Sequence, residues 1–356
     1  MATLFDSLHI GELLVPNRIV MAPLTRSRAG GERIPNALMA EYYAQRAEAG
    51  LIITEGTVVS PMAAGYADTP GIWSQEQAEN WQLTTSAVHK AGGRIFMQLW
   101  HVGRISHPSF LNGALPVAPS AIAPAGNVSL LRPETPYVVP HALERDELLE
   151  IVEDFRRGAQ NAQQAGFDGV ELHGANGYLF DQFLQDSANK RTDEYGGSVE
   201  NRARLMLDTV DALISVWGKG RVGVHLAPRG DANQMGDSDL GSTFTHVAKQ
   251  LGARGIAFIC AREHAGEGRI GPQLKAAFGG VYIANERFTR ETAEQVIVAG
   301  EADAVAFGRL FIANPDLPAR FKAAASLNRW DTEKFYSGGV QGYTDYPRLT
   351  ESSRVG

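Results

Sequence analysis

The sequence predicts a (β/α)8 TIM barrel, in which eight parallel strands close into a barrel inside a layer of helices. Eight short apolar runs alternate with longer helical patterns along the 356 residues, and this is the order of elements that such a barrel requires. The runs are continuously apolar and most are bounded by glycine or proline, as expected for strands buried on both faces. A doubly wound open sheet is the structural competitor, but no Gly-x-Gly-x-x-Gly turn follows an early strand.

The predicted strands are Arg18–Pro23, Leu51–Val59, Arg94–Leu99, Asp168–Leu172, Arg221–Leu226, Gly255–Cys260, Gly280–Ala284 and Asp303–Phe307. Several helices between them carry recognisable end signals. Ser74 and Gln77 match a capping box, in which the serine hydroxyl accepts from the backbone N–H three residues later. Long amphipathic helices are predicted over 145–165 and 198–217, and the last long helix is expected to begin at Asn314 and Pro315.

Two segments fall outside the repeating pattern. Leu8–Leu14 is predicted to form a hairpin that turns at Gly11 and Glu12 and lies under the barrel. Residues 101–144 form a larger insertion after the third strand, and they hold seven of the 17 prolines. Because barrel elements continue on both sides, we predict that this insertion covers the active site and that residues 1–356 form a single domain.

Composition and charge exclude several classes of function. The net charge is −7 without a long run of either sign, which argues against nucleic acid as a partner. Cys260 is the single cysteine, so the chain cannot build an intramolecular disulfide or a multi-cysteine metal cluster, and a buried inert thiol is expected. No apolar segment approaches the roughly 18 residues of a membrane helix, and no signal peptide is evident. We therefore expect a cytoplasmic protein without a membrane partner.

In a barrel of this kind, the active site lies at the C-terminal ends of the strands. No lysine lies at a predicted strand end, which weakens a Schiff-base aldolase as an interpretation. The histidines His101, His173 and His225 lack evident carboxylate companions, so no metal site is predicted. Hydrogen-bonding and aromatic residues occupy these positions instead.

His173, Asn176 and Tyr178 follow the fourth strand. Residues three apart on a helical turn point the same way, so His173 and Asn176 could donate to one carbonyl or nitro oxygen. Tyr178 offers an un-ionised acid that could protonate a carbanion-like carbon. A histidine and asparagine that cap the next helix, with Tyr178 in the core, would fit the same spacing.

A phosphate site is indicated by Gly308 and Arg309 after the eighth strand and by Asn285 and Glu286 after the seventh. Barrels often bind phosphate between these two loops, where glycine lets the backbone approach and arginine pairs with the anion. An ordinary turn beside a surface arginine would give the same pattern.

Long stretches of the chain resemble the Old Yellow Enzyme family of FMN-dependent ene-reductases, above all the bacterial branch with N-ethylmaleimide, glycerol trinitrate and xenobiotic reductases. The matching stretches are Asn17–Arg26, Glu41–Tyr43, Gln98–Arg104, Gly166–Tyr178, Asn189–Arg202, Ala306–Arg309 and Gly342–Pro347. The resemblance implies non-covalent FMN, NAD(P)H as electron donor, and a small electrophilic molecule as substrate.

The resemblance also implies a role for each matching residue. The FMN contacts would be Pro23, Thr25, Gly56, Gln98, His225, Asn285, Gly308 and Arg309. His173 and Asn176 would hold the activating oxygen of the substrate, and Tyr178 would donate the proton. The residues that shape the pocket would be Tyr66, Trp100 and Tyr343.

This chain departs from many relatives at two positions. Many relatives have an arginine beside the flavin N1 and O2 atoms where this chain has His225, which carries a positive charge only when protonated. The flavin potential should therefore depend more on pH than in the arginine-bearing relatives. After the seventh strand, a small glycine-rich turn of the relatives is replaced by Asn285, Glu286 and Arg287, so Glu286 is expected to point away from the phosphate.

These features predict an NAD(P)H-dependent flavin oxidoreductase that reduces enones, maleimides or nitroalkenes, with nitrate esters and nitroaromatics as further substrates. A metal-dependent barrel hydrolase and a non-catalytic flavin-binding protein are the two rivals. We expect a monomer or a weak homodimer.

Overall fold

The computed structural model describes residues 2–230 and 232–349. Its strands are β1 (Leu8–Ile10), β2 (Leu13–Val15), β3 (Ile19–Met21), β4 (Leu51–Ile53), β5 (Thr57–Val58), β6 (Ile95–Trp100), β7 (Val117–Ala118), β8 (His141–Ala142), β9 (Gly169–Gly174), β10 (Val222–Leu226), β11 (Phe258–Arg262), β12 (Val281–Asn285) and β13 (Ala304–Phe307). Its α-helices are α1 (Ala37–Ala44), α2 (Gln75–Lys90), α3 (Arg145–Gln164), α4 (Leu179–Leu184), α5 (Val199–Trp217), α6 (Leu240–Arg254), α7 (Gly271–Phe278), α8 (Arg290–Val298), α9 (Arg309–Ala313) and α10 (Leu317–Lys322).

A closed parallel barrel forms the centre of the molecule. Its neighbouring strands run in the order β4, β3, β13, β12, β11, β10, β9 and β6, and a β4–β6 pairing closes the circle. All of these pairings are parallel. The predicted (β/α)8 fold is therefore confirmed, and each of the eight predicted apolar runs overlaps one of these strands.

Side chains from alternate positions fill the inside of the barrel in layers. Phe96 and Phe258 meet there with ring centroids 5.7 Å apart. The neighbouring positions, Gly169 and Gly223, are glycine because an added Cβ would lie 2.3 Å and 2.2 Å from these two rings. The aromatic layer makes the lower barrel a packed core, so a ligand can enter only above it.

The N-terminal hairpin seals the lower end of the barrel, as predicted. β1 and β2 pair antiparallel from Leu8–Val15 to Ile10–Leu13. At the turn, the Glu12 N–H donates to the Gly220 carbonyl at 3.3 Å, and Ile10 packs into the same apolar cluster as Phe258.

The helix ends follow most of the predicted signals. Ser74 and Gln77 form the capping box at the start of α2, and Ser198 caps α5, which ends at Gly218 with a φ of 72°. The prediction for the last helix was wrong: α10 begins at Leu317. Asn314 instead donates to the Leu310 carbonyl at 2.9 Å and accepts from the backbone of residue 328 at 2.7 Å.

The predicted second strand is split into two. β4 ends at Ile53, and β5 resumes at Thr57 beside β6. The intervening Glu55 turns inward, where its Oε2 accepts from the backbone N–H of Arg26 at 3.0 Å.

The proline-rich insertion is mostly irregular. The short strands β7 and β8 pair within it, and an isolated antiparallel bridge joins Asn127 and Pro136. Residues 127–130, 132 and 134 line a small cavity next to Tyr66 and Tyr178. Among the described residues, no helix is both long and apolar enough to cross a bilayer.

Candidate active site

A cavity of about 1140 Å³ opens at the C-terminal ends of the barrel strands. Its walls include twelve residues that the sequence analysis singled out. These residues follow or end seven different barrel strands. They are Pro23, Thr25, Gly56, Gln98, Trp100, His173, Asn176, Tyr178, His225, Asn285, Gly308 and Arg309. Tyr66 lines the adjoining smaller cavity, which shares Thr25 and Tyr178 with the large one.

His173 is a neutral N–H donor at the end of β9. The backbone N–H of Ala175 donates to its Nδ1 at 3.4 Å, which leaves the ring proton on Nε2. Burial is the main cause that lowers the pKa of His173 well below its ordinary value, and the nearby His225 and Arg262 add to this effect. A neutral imidazole can donate its N–H to a ligand oxygen without placing a positive charge in the cavity.

Asn176 reaches the same cavity by a route that the sequence did not show. It follows the strand in a left-handed conformation with φ of 60°, so the assumed helical turn between His173 and Asn176 was wrong. It does not cap α4, which has no side-chain cap. Its Oδ1 accepts from Arg262 Nη1 at 2.8 Å, and its Nδ2 makes no hydrogen bond to a described residue, so this amide N–H is free to meet a ligand.

Tyr178 lies in the same cavity and packs against His173. Its hydroxyl is 2.9 Å from the Tyr66 hydroxyl, and its ring meets the edges of Trp100 and His173 at centroid distances of 4.9 Å and 5.0 Å. Burial raises the pKa of Tyr178 to about 12, although the Tyr66 hydrogen bond acts in the opposite direction. Tyr178 therefore keeps its proton at neutral pH and can serve as an acid.

Trp100 and Gly56 shape the adjacent wall. The Trp100 ring stacks on Tyr66 at a centroid distance of 5.5 Å. A Cβ on Gly56 would lie 2.6 Å from Trp100 Cε3, so glycine is needed where the chain passes this ring.

A polar group lies at the bottom of the cavity, inside the barrel. Gln98 Nε2 donates to Glu171 Oε2 at 2.8 Å, and His225 Nδ1 lies 3.6 Å from the same oxygen. The expectation that His225 has no carboxylate companion was therefore wrong, because the β9–β10 register brings both side chains into the barrel. Neither ring nitrogen of the buried His225 has a hydrogen-bond partner.

Cys260 adds a third potential ligand beside this pair. The ligating atoms of Glu171, His225 and Cys260 lie within 4.8 Å of one another. Burial, with Glu171 nearby, raises the pKa of the Cys260 thiol well above its ordinary value. The thiol therefore keeps its proton in the metal-free site.

The other end of the cavity offers cations and backbone for an anion. The Arg309 side chain is exposed, and it makes no ion pair or hydrogen bond with any residue in the described ranges. Glu286 is turned toward Arg262, whose Nε lies 2.5 Å from Glu286 Oε2, and Asn285 Nδ2 donates to the Ala306 carbonyl at 2.8 Å.

Tyr343 does not line either cavity, so its predicted role in shaping the pocket was wrong. It is buried and stacks on Tyr42 at a centroid distance of 4.1 Å, with the Arg28 guanidinium 4.4 Å from its ring centroid. Tyr343 instead anchors the C-terminal segment, which supplies wall residues that the sequence did not reveal: Trp330, Thr332, Phe335 and Tyr336.

Arg262 is a further wall residue that the sequence did not reveal. The sixth strand was expected to end at Cys260, whereas β11 continues to Arg262. Strand side chains alternate, so an inward Cys260 already implied that residue 262 points into the barrel mouth.

The chain matches the NADH:flavin oxidoreductase / NADH oxidase family over residues 3–328. It belongs to this family. 12-Oxophytodienoate reductase 1 of Oryza sativa subsp. japonica is 44% identical over 96% of this chain and 92% of that protein, and 12-oxophytodienoate reductase 2 of Arabidopsis thaliana is 40% identical over 97% and 95%.

Solved structures of the Old Yellow Enzyme type agree closely in fold. The Old Yellow Enzyme homologue from Zymomonas mobilis superposes with a TM-score of 0.95 at 45% identity, covering 98% of this chain and all of that one. Morphinone reductase in complex with tetrahydroNAD also gives 0.95, at 46% identity and 99% coverage of both chains. The protein is thus an FMN-dependent NAD(P)H oxidoreductase of the Old Yellow Enzyme type.

The cavity fits the FMN that this family uses. The unpaired nitrogens of His225 and the amide of Gln98 lie where a flat polar ring can be hydrogen-bonded. Arg309 and the Gly308 backbone lie at the opposite end, as an anionic phosphate requires. The two ends are joined by one continuous cavity.

Proposed function

We propose that this oxidoreductase reduces carbon–carbon double bonds conjugated to an oxygen-bearing group: enones, maleimides and nitroalkenes. One observation carries the proposal: two neutral N–H donors, on His173 and Asn176, share the cavity with an un-ionised phenol, on Tyr178. An activated alkene needs donors at its oxygen and a proton at its carbon, and these residues supply both.

The protein residues divide the work between them. When bound, FMN supplies the two-electron chemistry. His173 Nε2 and Asn176 Nδ2 donate to the carbonyl or nitro oxygen, where negative charge develops as the alkene accepts electrons at its β-carbon. Tyr178 transfers its proton to the α-carbon and recovers a proton from solvent. Overall, the alkene gains one hydride equivalent from NAD(P)H and one proton.

The comparisons support this choice of substrate. 12-Oxophytodienoate reductase and morphinone reductase are both named as reductases of oxo compounds, and an oxo group is what the two donors suit. Nitrate esters and nitroaromatics present similar oxygens, and we propose them as further substrates that do not need the carbon protonation by Tyr178.

Anaerobic stopped-flow spectrophotometry tests this proposal. Holoenzyme should bleach with NADH or NADPH, recover its yellow colour with 2-cyclohexenone, and form one cyclohexanone per cycle. A Tyr195→Phe variant should behave like the wild-type holoenzyme, because Tyr195 lies outside both cavities. Recovery of colour only with oxygen would favour a non-catalytic flavin-binding protein, and bound zinc with ester hydrolysis would favour a metal-dependent hydrolase.

We also propose that residues 1–356 form one domain in which the insertion 101–144 covers the site. Trimming of residues 120–140 should then raise the rate at which NADPH-reduced flavin reacts with oxygen, because water and gas reach it more freely. A cytoplasmic location and a monomeric or weakly dimeric state remain expectations, to be measured by cell fractionation and light scattering.

A further inference from the structure

We propose that Arg262 is a positioning residue, which fixes the Asn176 amide so that its N–H faces the substrate oxygen. This inference rests on the proposed function. Arg262 ends β11 and lies opposite Asn285 in the β11–β12 register. It lines the same cavity as His173 and Asn176, and the roles above do not include it.

The chemistry of the contact determines the orientation of the amide. Arg262 Nη1 lies 2.8 Å from the Asn176 side chain. A guanidinium only donates, so the amide atom that faces it must be the oxygen. The amide N–H group then points to the other side of the planar group. Without Arg262, the amide is free to rotate and to turn its oxygen toward the substrate. The two oxygens would then repel each other.

The backbone of Asn176 is held separately. Its φ of 60° lies in the left-handed region, and its carbonyl accepts from Asn233 Nδ2 at 2.8 Å. The backbone thus places the Asn176 side chain, and Arg262 sets the side-chain torsion angle that orients its amide group. The positive charge on Arg262 also polarises the amide, which strengthens Nδ2–H as a donor.

Arg262 is itself fixed by Glu286. Its Nε lies 2.5 Å from Glu286 Oε2, and the half-buried carboxylate also meets Arg287 Nε at 3.3 Å. Glu286 and Arg287 have φ values of 104° and 58°, which are costly for residues other than glycine. The Arg262–Glu286 pair helps to hold this strained loop. It therefore links the loop proposed to bind phosphate to the donor that meets the substrate.

A kinetic double-mutant cycle tests the inference. The rate of reoxidation by 2-cyclohexenone is measured for wild type, Arg262→Met, Asn176→Ala and the double variant, each as FMN-loaded holoenzyme. We expect Arg262→Met to lower the second-order rate constant by about 10- to 100-fold in the wild-type background. In the Asn176→Ala background, the same change should cost less than about threefold, because there is no amide left to position.

The controls separate positioning from folding. Arg229→Met removes a similar ion pair, to Glu263 at 2.8 Å, without touching Asn176, and its effect should be equal in both backgrounds. Arg262→Lys keeps the charge and one donor, so it should restore part of the rate. If Arg262→Met does not fold, Arg262→Ala, which also lacks a donor, takes its place in the cycle.

Equal losses in both backgrounds would overturn the inference, since Arg262 would then act on the substrate or on the fold without Asn176. If wild-type holoenzyme failed to reduce 2-cyclohexenone at all, the proposed function would fail, and this outcome is seen before any variant is made. The two failures are therefore distinguishable.

Discussion

Replacement of Tyr178 by phenylalanine should slow reoxidation of the enzyme by an enone and leave reduction by NADPH nearly unchanged. The change removes one hydroxyl and keeps the ring that packs on Trp100. General acid catalysis typically contributes about 10²- to 10⁴-fold, or about 3–5 kcal/mol. The Tyr66 hydroxyl stays within reach of the vacated position, which is 2.9 Å away, and can hold a water there. We therefore expect a loss near the lower limit, about 100-fold.

The assay is anaerobic stopped-flow, with the two half-reactions measured separately. Tyr66→Phe is the matched control: it removes one neutral hydrogen bond to the acid, worth about 1 kcal/mol, and should slow the enone step only about fivefold. A nitrate ester should be reduced by Tyr178→Phe at almost the wild-type rate. Equal losses in both half-reactions would refute the assignment of Tyr178 as proton donor. In wild type, the enone rate should not fall with rising pH until the pH approaches the Tyr178 pKa of about 12, because the phenol keeps its proton below that.

Three further predictions follow from the site. The flavin potential should change more between about pH 6 and about pH 8 in wild type than in His225→Arg, because arginine stays charged; equal slopes in a redox titration would contradict this. Gly56→Ala should weaken FMN binding, measured by flavin fluorescence, because its Cβ would lie 2.6 Å from the Trp100 ring. An unchanged dissociation constant for FMN would show that the Trp100 side chain moves aside without cost. Burial raises the pKa of Asp181 to about 7, so the folded state holds a proton that the unfolded chain loses near pH 4. Wild type should therefore lose stability relative to Asp181→Asn as the pH rises from about 4 to about 7, with no further relative loss above that; a constant difference in Tm across this range would argue against a raised pKa.

The barrel could be predicted because its strands are buried on both faces. A run such as Val222–Leu226 has no exposed side on which polar residues could interrupt the pattern, so its limits are visible in the sequence. The limits were less visible where polar residues point into the barrel mouth. The predicted sixth strand ends two residues before β11 does, because the sequence alone does not distinguish Arg262 from a surface residue.

The site could be predicted as a set of positions, but its internal contacts could not. The sequence places His173 and Tyr178 beyond one strand, and the barrel brings them to the same rim as His225. The pairing of His225 with Glu171 depends on strand register, and the direction of Asn176 depends on a left-handed turn. Neither is encoded in local composition.

The C-terminal wall was missed for a different reason. Its position depends on long-range contacts: Arg28 donates to the carbonyls of Phe335 and Lys334 at 2.9 Å and 2.8 Å. These contacts bring Tyr336 and Trp330 to the cavity and bury Tyr343 behind it. No periodic pattern in the segment itself predicts this arrangement.

A single anaerobic turnover tests the central claim most directly. Freshly isolated protein is reduced with one equivalent of NADPH and then mixed with one equivalent of 2-cyclohexenone in deuterated water. We expect full return of the yellow colour and cyclohexanone with one deuterium at the α-carbon, from the Tyr178 hydroxyl. A flavin that stays bleached until oxygen is admitted would contradict the account.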